Sequence, residues 1–285
     1  TTDRDLHIEA GTVLDVVSGN VTAAPGTATQ NFWIQNAGVL TSSSGTLTFD
    51  FQTPFSTTGA EDQSVRVLIE DYDGFTPLQV AKNGPGGVNN FDQANTYSGG
   101  TIINAGRISV ANVNALGSGP LTVSSGGQAF LSLASATYVT PITISGMGPS
   151  ETSGNLGAIR FNSNTFAGEL TVDAAGARVG ASGGATGTIT GELKGTGNLE
   201  INSNAAGHDG TISLNGFSPD YSGTVQVAKG RLNISDTLGG SVAVTDGAAL
   251  GGEGIINGAL SLGTSTGANL YVSASSPQGL LAENL

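Results

Sequence analysis

The stretch "NTYSGGTIINAGRISV", residues 95–110, sets a glycine pair before a short apolar run and one more glycine before a second run. A helix is the competing reading, and it fails because the apolar positions of the recurring pattern alternate at period two. Each glycine would also cost a helix interior about 1 kcal/mol. As strands they fit, because glycine supplies the positive φ of a tight corner without a Cβ clash. Gly99, Gly100 and Gly106 are therefore expected at corners between short strands.

The pattern recurs outward from there. It returns as "GPLTVSSGGQAFLSL" from Gly119, "GELTVDAAGARVG" from Gly168, "GTVQVAKGRLNI" from Gly223, "GSVAVTDGAALGG" from Gly240 and "GALSLGTSTGANLYV" from Gly258. A fainter copy, "GVLTSSSGTLTFDF", starts at Gly38. The steps from Gly100 to Gly119, from Gly223 to Gly240 and from Gly240 to Gly258 are nearly equal. Apolar residues alternate at period two, as in Leu121/Val123, Val225/Val227, Val242/Val244 and Leu260/Leu262, which is the strand signature. A repeat of about 20 residues built from short strands is that of a solenoid. One coil cannot bury its inward residues alone, so coils stack on a shared core. The expectation is an all-β solenoid of stacked parallel coils over 1–285. Two zones break the spacing: 50–92, read as a loop leaving the coils or a small subdomain, and 145–164.

Composition agrees. Glycine reaches 45 of 285 residues without a period of three, which excludes collagen, and 38% hydrophobic against 11% charged residues excludes a disordered chain. Nine Lys and Arg against 22 Asp and Glu give a net charge of −13. Nucleic acid and anionic membrane surfaces are disfavoured partners, since both need clustered bases. From Gln93 to Ser150 there is no acid, and Arg107 is the only base. With no cysteine, disulfides, zinc–thiolate sites and cysteine nucleophiles are excluded together. No apolar run approaches the roughly 18 residues of a membrane span. The abrupt start at Thr1 and stop after "SPQGLLAENL" read as a piece of a longer protein.

"NTYSGGTIINAGRISVANVNALGSGPLTV" resembles the passenger-associated transport repeat of bacterial autotransporters. The matching residues are Asn95 to Thr101, then Asn104-Ala105-Gly106, Asn114-Ala115-Leu116-Gly117 and Leu121-Thr122-Val123. A partial second match runs from Tyr221 to Ile234 and leads into "LGGSVAVTDGAALGGEGIINGALSLG". The two cover about 95–133 and 221–272. The family's Lys-x-Gly-x-Gly lead-in is degraded here to "AKNGPGGVNNFDQ". The resemblance implies a right-handed, pertactin-like parallel β-helix over 1–285, with 221–285 as a candidate C-terminal folding or secretion segment, secreted across the outer membrane of a Gram-negative bacterium and displayed on the cell surface. It implies an adhesin or adhesin stalk, with a separate C-terminal outer-membrane β-barrel as translocator. The partners it implies are a host-cell or extracellular-matrix component, or a second bacterium.

Residues able to do chemistry are few. His7 and His208 are the only histidines, and "AAGHDGT" reads as a surface turn rather than the setting of a catalytic base. Glu70, Asp71 and Asp73 in "EDYDG" resemble the front of a calcium loop, but the later ligands are missing, so an acidic solvated loop is the expectation. A polysaccharide lyase would place carboxylate ligands and a basic residue together on a parallel β-helix, and the scattered bases do not assemble that site. Phe32 and Trp33 could anchor a partner, although large aromatics usually bury, so core positions are expected. No catalytic residue, cofactor or metal is assigned, and the chain is not expected to be an enzyme.

Overall fold

A computed structural model describes residues 4–23, 32–52, 63–272 and 280–284. Among them there is no helix, and the strands are short and mostly parallel, stacked coil upon coil as a parallel β-helix-like solenoid. Residues group into two compact units, 1–133 and 134–285.

Within the first unit the opening stretch forms the strands Thr101–Ile103 and Gly106–Val110. Ile102 stands beside Ala81 of the coil before it and Thr122 of the coil after it. On the next face Val88, Ile108 and Ala129 are aligned. The inward side chains Ile103, Ile108, Val110, Leu121, Val123 and Leu131 are buried, each removing from water an area worth about 1.5–3 kcal/mol for a large aliphatic. In the second unit Val225, Val242 and Leu260 align in successive coils. Ile212, Leu232, Leu250 and Leu270 align on another face.

The short coil does not hold everywhere. Leu6 pairs with Ile34, and Thr48 pairs with Ala81, so the coils of this region take in more chain than those after it. The longer coils carry excursions between strands, which is why the repeat is hard to see before residue 80. Within the 50–92 zone, Gln63–Ile69, Gln79–Asn83 and Gly87–Phe91 are strands in the parallel stack, with an exposed loop over 72–77; residues 53–62 lie outside the described residues. Within the 145–164 zone a small antiparallel hairpin, Ser150–Glu151 against Gly154–Asn155, leaves the coil, while Ile159–Phe161 is a strand of the parallel stack. Arg160 stands 3.9 Å from the buried Glu151 carboxylate behind it.

The residues of the recurring motif are spent on holding coils together. The buried Asn95 side chain accepts from Ile69 N–H at 2.9 Å and donates to the Ala115 carbonyl at 2.6 Å, so one amide joins three successive coils. The buried Tyr97 hydroxyl lies 2.6 Å from Thr101 Oγ1, which donates in turn to the Leu116 carbonyl at 3.0 Å. Tyr97's ring lies against Gly117, where a Cβ would sit 2.7 Å from the ring. Tyr221 repeats the arrangement against Gly240 and donates to the Gly197 carbonyl at 2.8 Å. Asn104 donates to Asn83 Oδ1 at 2.8 Å and accepts from Ser124 Oγ at 3.1 Å, a polar ladder along one corner. Gly106 takes φ +72° there, and a Cβ would collide with the Gly86 carbonyl oxygen.

Beneath that corner lies Lys82, with no exposed surface. Its ammonium donates to the carbonyls of Asn83 (2.6 Å), Gly84 (2.9 Å) and Ala105 (3.2 Å) and stands 5.9 Å from the Phe51 ring centre. Burial pushes its pKa down to about 7, against the opposing pull of the Asp50 charge.

Replacing Asn95 with Ala takes the side-chain acceptor from the buried Ile69 N–H and leaves the Ala115 carbonyl only the long 3.5 Å hydrogen bond from the Tyr97 hydroxyl. A urea titration should therefore show about 1–3 kcal/mol of lost stability. Lys82 predicts a pH dependence. Between pH 7 and its unfolded-state value of about 10.4, the unfolded chain holds a proton that the folded chain has released. Stability from this group therefore rises with pH across that window and is level below it. The urea midpoint should gain more from about pH 7 to about pH 9.5 in the natural protein than in Lys82→Met.

Candidate functional site

Among the described residues, a loop in the first unit and two grooves in the second are candidate sites. The loop joins Gln63–Ile69 to Gln79–Asn83 and contains the acidic group singled out in the sequence. Asp71 is turned onto the backbone. Its Oδ1 accepts from Leu78 N–H at 2.7 Å and Ser98 N–H at 3.0 Å, and its Oδ2 accepts from Ser98 Oγ at 2.7 Å. Asp73 Oδ1 accepts from Phe75 N–H at 2.8 Å and Thr76 N–H at 2.6 Å, and its Oδ2 accepts from Thr76 Oγ1 at 3.0 Å. Burial raises the Asp71 carboxyl, but the hydrogen bonds from Leu78 and Ser98 outweigh it and hold it below the ordinary carboxylate range. The Thr76 and Phe75 amides hold Asp73 low as well. Both carboxylates are committed to shaping the loop, and among the described residues no three His, Asp or Glu side chains converge as a metal site.

What the loop presents is aromatic. Phe75 is 90% exposed and Tyr72 51% exposed. A phenyl ring held in water at the tip of a hydrogen-bonded loop gains nothing for the fold, so it is available to a partner.

The other candidate residues fall elsewhere. Phe32 turns inward and meets the buried Phe51 edge-on at 5.7 Å. Trp33, expected in the core, instead faces outward, half-buried beneath the Arg66 guanidinium 5.4 Å above its ring. Neighbouring residues of a strand point to opposite faces, so only one of the pair can be inside. His7 is exposed, with Nδ1 3.0 Å from the Asn36 amide nitrogen and Nε2 3.6 Å from Asp5. His208 follows a turn as expected, yet its side chain is buried, 7% exposed. Burial first, then the charges of Arg160 and Lys229, keep its imidazole below the usual range against the pull of Asp209. Arg107, the single charge of the 93–150 stretch, is buried 5.5 Å from the Phe130 ring centre.

A groove of about 630 Å³ in the second unit carries Glu200 and Asp246. Glu200 accepts from Arg178 at 2.8 Å, and Asp246 Oδ1 accepts from the amides of Thr264 (2.8 Å), Ser265 (3.2 Å) and Gly267 (3.0 Å). Both are structural acceptors there. A second groove, of about 480 Å³, is lined by Arg231, Asn233, Glu253 and Tyr271; sequence reading passed over it because its residues come from separate coils. No protein-family model, curated protein or solved structure matches the chain.

Removing the Asp71 carboxylate should free the loop. Asp71→Ala is expected to be cut by chymotrypsin after Tyr72 or Phe75 at least about tenfold faster than the natural protein while melting of the coils changes little, since local opening governs such cleavage. Mass spectrometry of the fragments checks the positions.

Proposed function

We propose that the chain is a surface-displayed autotransporter passenger segment acting as an adhesin, or as the stalk of one, outside the outer membrane of a Gram-negative bacterium. The observation that carries this reading is the loop over 70–78: two carboxylates spend their hydrogen-bonding capacity on fixing a backbone that holds Phe75 and Tyr72 in solvent. A loop ordered before contact loses less conformational freedom on binding, and aromatic residues are strong anchors. The solenoid supplies a scaffold, and recognition belongs to segments that leave it. The resemblance at 95–133 and 221–272 supports the secreted, displayed setting, and the partner is a host-cell or matrix component. The chain performs no catalysis in this reading.

A second reading, a stem that assists folding and secretion and binds nothing itself, is favoured by the aligned strands Thr224–Val227, Ser241–Val244 and Ile255–Leu262. These could template the coils stacked upon them. Self-association through the nearly uncharged 93–150 stretch would be a further mode of adhesion.

Binding of the 285-residue protein to host cells and immobilised matrix proteins, beside a charge-matched control, separates the readings. Saturable binding at about micromolar Kd that weakens at least about tenfold in Tyr72→Ser/Phe75→Ser is the expected result. Absence of binding assigns the segment to the stem, and binding indifferent to both substitutions removes the loop from the contact.

A further inference from the structure

On the outer face of the second unit, Ser213, Asn233, Gly251 and Tyr271 stand side by side in four successive coils. At about 4.8 Å per coil they form a row about 14 Å long. Arg231 lies across it. Its Nε donates to Asn233 Oδ1 at 2.6 Å, and its guanidinium carbon is 4.6 Å from the centre of the Tyr271 ring. Gly251 makes that possible, since a Cβ there would stand 2.6 Å from Arg231 Nη2. Asn233 Nδ2 in turn donates to Ser213 Oγ at 3.4 Å. Glu253 completes the groove of about 480 Å³. Among the described residues neither Arg231 nor Glu253 has an ion-pair partner.

We propose that this groove binds an uncharged oligosaccharide. Each sugar hydroxyl both donates and accepts. The groove offers a donor-only guanidinium, an acceptor-only carboxylate and an amide that does both. The half-exposed Tyr271 ring supplies an apolar wall for the C–H face of a pyranose. The row along the coils suits an extended chain, each coil meeting about one sugar ring. Charge selects the neutral ligand. One cation and one anion line the groove together, and the net charge of −13 repels sulfated and uronate-bearing chains. This site is distinct from the aromatic loop of the first unit, and neither depends on the other.

The test is an array of neutral hexose and N-acetylhexosamine oligosaccharides, with sulfated and uronate-bearing chains alongside, probed with the 285-residue protein. Binding to at least one neutral chain is expected. Gly251→Ala should weaken it at least about tenfold by driving Arg231 off Tyr271, since the added Cβ would stand 2.6 Å from Arg231 Nη2, with Asn233 Oδ1 at 3.1 Å and the Tyr271 carbonyl oxygen at 3.2 Å also pressed. Tyr271→Ala, at an exposed position, should do the same with the melting temperature unchanged. Tyr72→Ser/Phe75→Ser should bind the array as the natural protein does, which keeps this result separate from that of the adhesive loop. No neutral glycan bound at millimolar concentration, binding confined to charged chains, or binding unmoved by both groove variants would each overturn the proposal.

Discussion

Outside one small hairpin, the described strands of this protein find their ladder partners one coil away, never in the segment that follows them. A parallel ladder satisfies N–H and C=O groups only while the chain runs straight. At each corner the ladder breaks, and buried polar groups there need another partner. Much of the unusual side-chain chemistry answers that need. Asn95 joins three coils in the first unit. Asn202 does the same in the second, accepting from Ala181 N–H and donating to the carbonyls of Gly210 and Lys229. Lys82 gathers three corner carbonyls, and Asp71 serves two amides and a hydroxyl.

This has a consequence for function. Many of the protein's polar side chains serve as internal hydrogen-bonding partners. Asp246 and Asp73 accept from backbone amides, and His208 is buried next to cationic neighbours. What remains available lies where the coil requirement is relaxed. One such place is a loop too long for a corner, and the other is the outward side of the ladder, where alternate residues answer to solvent. The two proposed contact surfaces occupy those two places. They differ in chemistry because a loop tip can hold a bare aromatic ring, whereas a ladder face sets polar side chains from consecutive coils in a row.

The structure also explains which positions were legible. Alternation at period two identified Leu121/Val123 and Val242/Val244 because each strand there has one apolar face. In Phe32-Trp33 both residues are large and aromatic, so hydrophobicity could not choose the inward one. Phe51 and Arg66, remote in sequence, decide it. The 50–92 zone looked irregular because its coils are longer, not because its strands leave the stack. "EDYDG" was legible as a turn with carboxylates, but not as a turn whose carboxylates face their own backbone and Ser98.

The sequence alone determined the parallel β-solenoid, through short alternating runs, glycines at corners and a short, regular repeat over 80–131 and 224–272. Those signals are local: each reflects whether a few consecutive residues can turn or bury one face. The tertiary structure decided what the polar residues do. Asn95, Lys82 and Tyr97 each meet a partner in another coil, across coils whose lengths vary. The groove at Arg231 depends on a glycine in the next coil and a tyrosine in the one after it. Such neighbours are set by coil stacking, and the offset between them is a sum of loop lengths that no single stretch of sequence contains.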